Sequence, residues 1–175
     1  MHSYTLKQSR RARYVRLSVR PGGAVVVTVP FGSSSALVQR FIQKHAEWIN
    51  RSVARMRKIQ ALPASGVRGY ATHKEAARAL VHERVAHWNA HYRHAVGRIA
   101  IKNTRTLWGS CSRRGNLNFS YKLLFLPTCL VDYVVVHELC HLKEHNHSPA
   151  FWRLVAQTTP DHARRRRELR RYLLR

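Results

Sequence analysis

HELCHLKEHNHSPAFW, His137 to Trp152, brings His137, His141, His145 and His147 into one short run. His137 and His141 are spaced i, i+4, so on a helix both rings leave one face and can converge on a single ion. Glu138 follows the first histidine and lies beside the same face, within reach of a metal-bound water. Neutral imidazoles suit zinc, which lowers the pKa of such a water toward neutrality. In that arrangement Glu138 accepts the water's proton as it attacks a carbonyl, then passes it to the leaving amine.

A catalytic zinc takes three protein ligands and keeps one position open. His145 continues the i, i+4 series, but the helical rise from His137 to His145 is about 12 Å at 1.5 Å per residue. Ligands that each sit about 2 Å from one ion cannot span that gap. His147 qualifies if the helix ends before it. Asn146 is read as a left-handed terminating residue. Ser148 is read as the N-cap of the next helix and Pro149 as its first residue. His147 is thus expected at a corner between two helices, and the expected ligands are His137, His141 and His147, holding one zinc per chain. Cys140 projects about 100° away from His141 and reads as core. Phe151 and Trp152 open the next helix and are expected to pack beneath the site, and Trp108 is expected in the core.

Outward from the motif, Pro127 and Thr128 start its helix, which runs through Val134, Val135 and Val136. Upstream, RIAIKNTRTLWGSCSRRGNLNFSY from Arg98 reads as two or three short strands, with a hairpin turn at Arg113 to Asn116. Thr72 and Glu75 form a capping-box pattern opening a helix to about Val96. His87, His91 and His94 lie along it and read as a solvated face. ALPASGVRGYA, Ala61 to Ala71, is rich in small and turn residues and reads as a linker. Before it, Ser33 to Ser35 can cap a helix in which apolar residues recur at helical spacing from Leu37 to about Arg57. Val15, Leu17 and Val19 alternate with Arg16, Ser18 and Arg20, and PGG at Pro21 to Gly23 turns that strand into AVVVTVP. A further strand is expected over residues 3–8. The organisation is therefore residues 1–60 as a β-hairpin-plus-helix region, 61–71 as linker and 72–175 as the core that carries the motif. The class is α+β.

Composition adds charge. Lys and Arg number 32 against 8 Asp and Glu, a formal net charge of +24, and 25 of the 32 are arginines. Such a field attracts polyanions in a salt-dependent way, and the arginine fork suits phosphate. TPDHARRRRELRRYLLR at the C-terminus reads as a helix capped at Thr159 with Pro160 first. Its Arg164, Arg165, Arg166, Arg167, Arg170 and Arg171 are the expected nucleic-acid or phosphate contacts. The start, MHSYTLKQSRRARY, has no apolar run after its positive charges, so no secretory signal is expected. The most apolar stretch, Leu123 to Val136, is broken by Pro127, Thr128 and Asp132 and is too short to cross a bilayer. Cys111, Cys129 and Cys140 form no CxxC pair; a reduced, cytoplasmic setting is expected.

LWGSC (Leu107 to Cys111), GNLNFSYKLLFLP (Gly115 to Pro127), DYVVVHELCHL (Asp132 to Leu142) and NHSPAFW (Asn146 to Trp152) together resemble the YgjP-like family of bacterial HExxH metallopeptidases, distant relatives of the SprT/Spartan and WLM zincins. The N-terminal RRARYVRLSVRPGGAVVVTVP and FIQKHAEWI resemble that family's N-terminal region. The resemblance implies a zincin-like core with a short β-sheet over the metal-binding helix, His137, His141 and His147 as zinc ligands, and Glu138 as catalytic acid/base. The ligand spacing also matches metzincins, but Glu144 stands where they carry glycine. The expected function is a zinc-dependent peptidase acting on a peptide or protein. The alternatives are a metal-dependent nucleotide pyrophosphohydrolase and a nucleic-acid-binding protein with a structural metal. Tyr133, Asn118 and Tyr121 are the candidates for stabilising an oxyanion.

Overall fold

The computed structural model describes residues 3–62 and 67–174. The chain divides into two compact units, Met1–Ala61 and Leu62–Arg175. Part of the expected linker, residues 63–66, lies outside the described residues.

In the first unit, β1 (Tyr4–Ser9), β2 (Arg16–Val19) and β3 (Val25–Pro30) form a sheet of order β1-β3-β2. β2 and β3 are the expected hairpin, antiparallel with Leu17 opposite Val27, while β1 adds to the other side of β3 in parallel. Gly22 and Gly23 take φ of 85° and 90° in the turn, which side chains other than glycine rarely adopt. Central β3 has neighbours on both sides and is the most buried strand, and its Val27 and Val29 pack with Val38. The helical region is two helices, α1 (Ser35–Lys44) and α2 (Ala46–Arg57), where the apolar spacing suggested one. The break is at His45, whose ring nitrogen Nδ1 hydrogen-bonds the Phe41 carbonyl at 2.8 Å and whose ring lies 4.3 Å from that of Phe41. Two-residue β4 (Gln60–Ala61) closes the unit.

The second unit begins with α3 (Val67–Tyr92), which starts earlier than the Thr72 capping pattern indicated and ends earlier than Val96. Three strands follow: β5 (Ile99–Lys102), β6 (Gly109–Cys111) and β7 (Leu117–Ser120), in the order β5-β7-β6. β6 and β7 are the hairpin turned at Arg113 to Asn116, and Gly115 takes φ 74° in that turn. β5 runs parallel to β7 on its other side, leaving β6 as an edge strand. Then come α4 (Thr128–Cys140), α5 (Pro149–Ala156), α6 (His162–Leu169) and β8 (Tyr172–Leu173). The fold is α+β, as the sequence implies.

Apart from Asp132, α4 is apolar on every side from Leu130 to Val136, and those residues are buried. A helix of that pattern belongs inside a core. Its run of β-branched valines is poor for helix propensity, and burial overrides that preference. α4 packs on α3, α5, α6 and β6. The single acidic residue of its first half, Asp132, is buried and accepts from Arg84 Nε on α3 at 2.6 Å. This ion pair fixes α4 lengthwise against α3.

No helix among the described residues is long and apolar enough to cross a membrane. The three cysteines are free; Cys140 is fully buried, and burial pushes its thiol up to about 12.

Candidate metal centre

His137 stands in the last turn of α4 and His141 is its C-cap residue, so the helix stops as its second histidine is placed. The backbone N–H of His141 closes on the His137 carbonyl at 3.3 Å, and tight turns follow through Lys143. Asn146 does not use the left-handed region: Arg93, with φ 52°, is the one non-glycine residue there among those described. The chain instead turns back earlier, at residues 141–143. The second half of the corner is as the sequence indicates. Ser148 caps α5 by accepting from Phe151 N at 3.3 Å, and Pro149 opens the helix.

This corner swings His147 over the other two rings. His137 Nε2 lies 3.2 Å from His141 Nε2 and 3.0 Å from His147 Nε2. Among the described residues these three are the group of histidines, cysteines and carboxylates able to share an ion; His145 and the histidines of α3 are not part of it. Phe151, fully buried, supports the cluster from below, with ring centroids 4.9 Å from His137, 4.5 Å from His141 and 4.9 Å from His147. Trp152 stacks on His147 at 5.6 Å.

The protonation pattern suits a cation. His141 Nδ1 donates to the Glu144 carbonyl at 2.9 Å, which leaves a lone pair on its Nε2. Burial, then the neighbouring His141 and His147, push His137 down to about 3, so its ring is neutral. His137 Nε2 carries either one hydrogen or one lone pair in the ring plane and cannot bond well to both neighbours. One cation satisfies all three nitrogens. Two imidazoles held about 2.0–2.1 Å from one tetrahedral zinc stand about 3.3 Å apart, close to the spacing found here. His137 Nδ1 is buried with no hydrogen-bond partner among the described residues.

Glu138 is buried at 5% exposure, and burial alone pushes its carboxyl up to about 8. Its close neighbour is Gly109 at the start of β6. A Cβ placed on Gly109 would stand 2.6 Å from both Cγ and Oε1 of Glu138, well inside contact distance. Gly109 is a site residue that the pattern of histidines does not reveal. The signal for it was a glycine inside a strand, which often marks the close approach of another group.

A model of the YgjP-like metallopeptidase domain matches residues 13–73 and 67–172. The chain belongs to the YgjP-like family. The crystal structure of the metallopeptidase zymogen abylysin, from Pyrococcus abyssi, is also similar to this YgjP-like chain. It has 25% sequence identity and a TM-score of 0.46, and the match covers 51% of this chain and 91% of that one. No curated protein matches the sequence. A metallopeptidase family implies a metal, and the three-histidine cluster of this YgjP-like chain is compatible with one.

Of the three candidates for stabilising an oxyanion, Tyr133 lies beside the cluster, its ring centroid 5.9 Å from His137. Tyr121 packs in the core against Tyr70 and Phe125, and Asn118 Nδ2 donates to Ser110 Oγ at 3.1 Å. The arginines of α6 separate into groups. The helix starts at His162, later than Thr159 and Pro160 suggested, and Asp161 at its N-cap position accepts from Arg164 at 2.5 Å and Arg165 at 2.7 Å. Arg165 also donates to the Cys129 carbonyl at 2.9 Å, tying α6 to the start of α4. Arg166 lies over the Trp152 ring at 5.2 Å, and Arg167, Arg170 and Arg171 are exposed.

Proposed function

We propose that this chain is a zinc-dependent peptidase in which His137, His141 and His147 hold the metal and Glu138 is the catalytic acid/base. The convergence of three imidazole Nε2 atoms next to a buried carboxylate carries this reading. Zinc bound there supplies Lewis-acid polarisation of the scissile carbonyl and acidifies the attacking water. Glu138 takes the water's proton at its carboxylate and delivers it to the leaving amine. Gly109 lets the carboxylate lie against the backbone of β6, and the nearness of the Tyr133 ring to His137 supports it as the donor to the developing oxyanion.

A peptide substrate is supported by the sheet. β6 is an edge strand that begins beside Glu138, so its outer backbone groups are available to pair with an extended chain. The test is a Glu138→Gln protein loaded with zinc and assayed on a peptide library. Retained zinc with hydrolysis abolished is the expected result. Hydrolysis at the parent rate would refute the role of Glu138, and turnover of nucleoside triphosphates without any peptide cleavage would favour phosphoanhydride chemistry.

A further inference from the structure

Next to the histidine cluster lies an open cavity of about 260 Å³ whose walls include Arg105, Trp108, Tyr133, Arg166 and Arg170. It shares two walls with the proposed catalytic centre. Tyr133 stands one helical turn before His137 on α4, with the rings 5.9 Å apart. Trp108 immediately precedes Gly109, whose backbone abuts Glu138. Arg166 is set over Trp152, which stacks on His147, and its charge is felt at His137.

Three arginines thus line one concavity, and among the described residues no ion pair joins any of them to a carboxylate. Four acids of this unit are paired with other arginines: Asp132 and Glu83 with Arg84, Asp161 with Arg164 and Arg165, and Glu75 with Arg78. Lys122, buried at 1% exposure, donates to the Leu174 carbonyl at the cavity's edge. Arg166 and Arg170 are four apart on one helix face, an arrangement of like charges that works against the helix unless an anion lies between them. Aromatic walls and a fork of guanidinium donors suit a planar anion on an apolar stem, which a carboxylate is.

Resting on the peptidase reading, we propose that this cavity is a substrate subsite for a carboxylate close to the scissile bond, carried by an acidic side chain or by the end of the peptide. A chain paired along β6 turns every second side chain toward one face, and the residues leading into β6 form the cavity wall. The enzyme is therefore selective for acidic peptides despite having one catalytic centre of broad chemistry.

The experiment uses zinc-loaded Glu138→Gln protein, so that binding is read without turnover, and acetylated, amidated octapeptides that differ by one Gln→Glu at each position. A matching Gln peptide with a free C-terminal acid separates the two sources of the carboxylate. At one position the Glu peptide, or else the free acid, should bind on the order of tenfold tighter or more. That preference should collapse toward one in an Arg105→Gln, Arg170→Gln background and partly return with Lys at both positions. Zinc content and circular dichroism check that the variants are folded. Absence of any acidic preference, or a preference that survives in the Gln background, overturns the proposal. Oligothymidylate binding that depends on Arg105 and Arg170, with no acidic-peptide preference, assigns the cavity to phosphate and overturns it too. If the acidic preference is found but the parent cleaves no peptide, the subsite stands and the peptidase reading falls.

Discussion

Glu138→Gln should make the metal-free protein more stable while ending catalysis. Burial raises the Glu138 carboxyl from an ordinary 4.5 to about 8. Below pH 4.5 both folded and unfolded chains hold the proton, and the group has no effect on stability. Above it the unfolded chain ionises while the buried carboxyl does not, so stability falls as pH rises, and the fall levels off only near pH 8. At pH 7 the penalty spans about 2.5 pH units, or about 3 kcal/mol at 1.36 kcal/mol per unit. At pH 5 it is below about 1 kcal/mol by the same relation. Glutamine keeps the shape and never ionises. Urea denaturation of chelator-treated parent and variant at pH 5 and pH 7 should show the variant ahead by about 3 kcal/mol at the higher pH and nearly level at the lower. Equal midpoints at pH 7, or a difference that does not change with pH, would refute the claim that desolvation sets this carboxyl.

Three further outcomes are expected. His147→Ala should lose most of its zinc under dialysis, read by mass spectrometry of metal content, whereas His145→Ala should keep it. Gly109→Ala pushes a methyl group into Glu138 and should lower peptide hydrolysis about a hundredfold with zinc retained, since displacing a catalytic group by about 1 Å has that effect. Arg84→Ala leaves Asp132 buried without its partner and should destabilise the fold by about 3 kcal/mol, a Tm drop of about 6–12 °C by calorimetry.

The three-histidine cluster is legible in the sequence because its signals are local. HELCH carries helical spacing, and Ser148-Pro149 marks the next helix start within a few residues. The stop itself was read at the wrong residue: any tight turn that reverses the chain between His141 and Ser148 brings His147 back, and Asn146 was one of several ways to do it. The hairpins at PGG and RRGN were also local. The break at His45 is invisible to apolar periodicity, which runs straight across it. The start of α3 at Val67 went unseen because Thr72 and Glu75 also satisfy a helix interior. Gly109 against Glu138, Arg84 with Asp132, and the cavity of Arg105, Arg166 and Arg170 join residues far apart in sequence. An arginine-rich tail reads as one surface until Asp161 and Trp152 sort it by contact.

Phe151 beneath the three histidines bears on the order of events during maturation. In small zinc modules the ligands scatter until the ion arrives, so metal capture and folding are one event. Here all three rings rest on one buried aromatic that belongs to the unit's apolar core. On the proposed reading, loading of the metal is expected to be a late, separate and reversible step. A chain emptied by a chelator should keep its shape and regain its ion without refolding, leaving supply of the metal, more than synthesis of the protein, to set how much active enzyme exists.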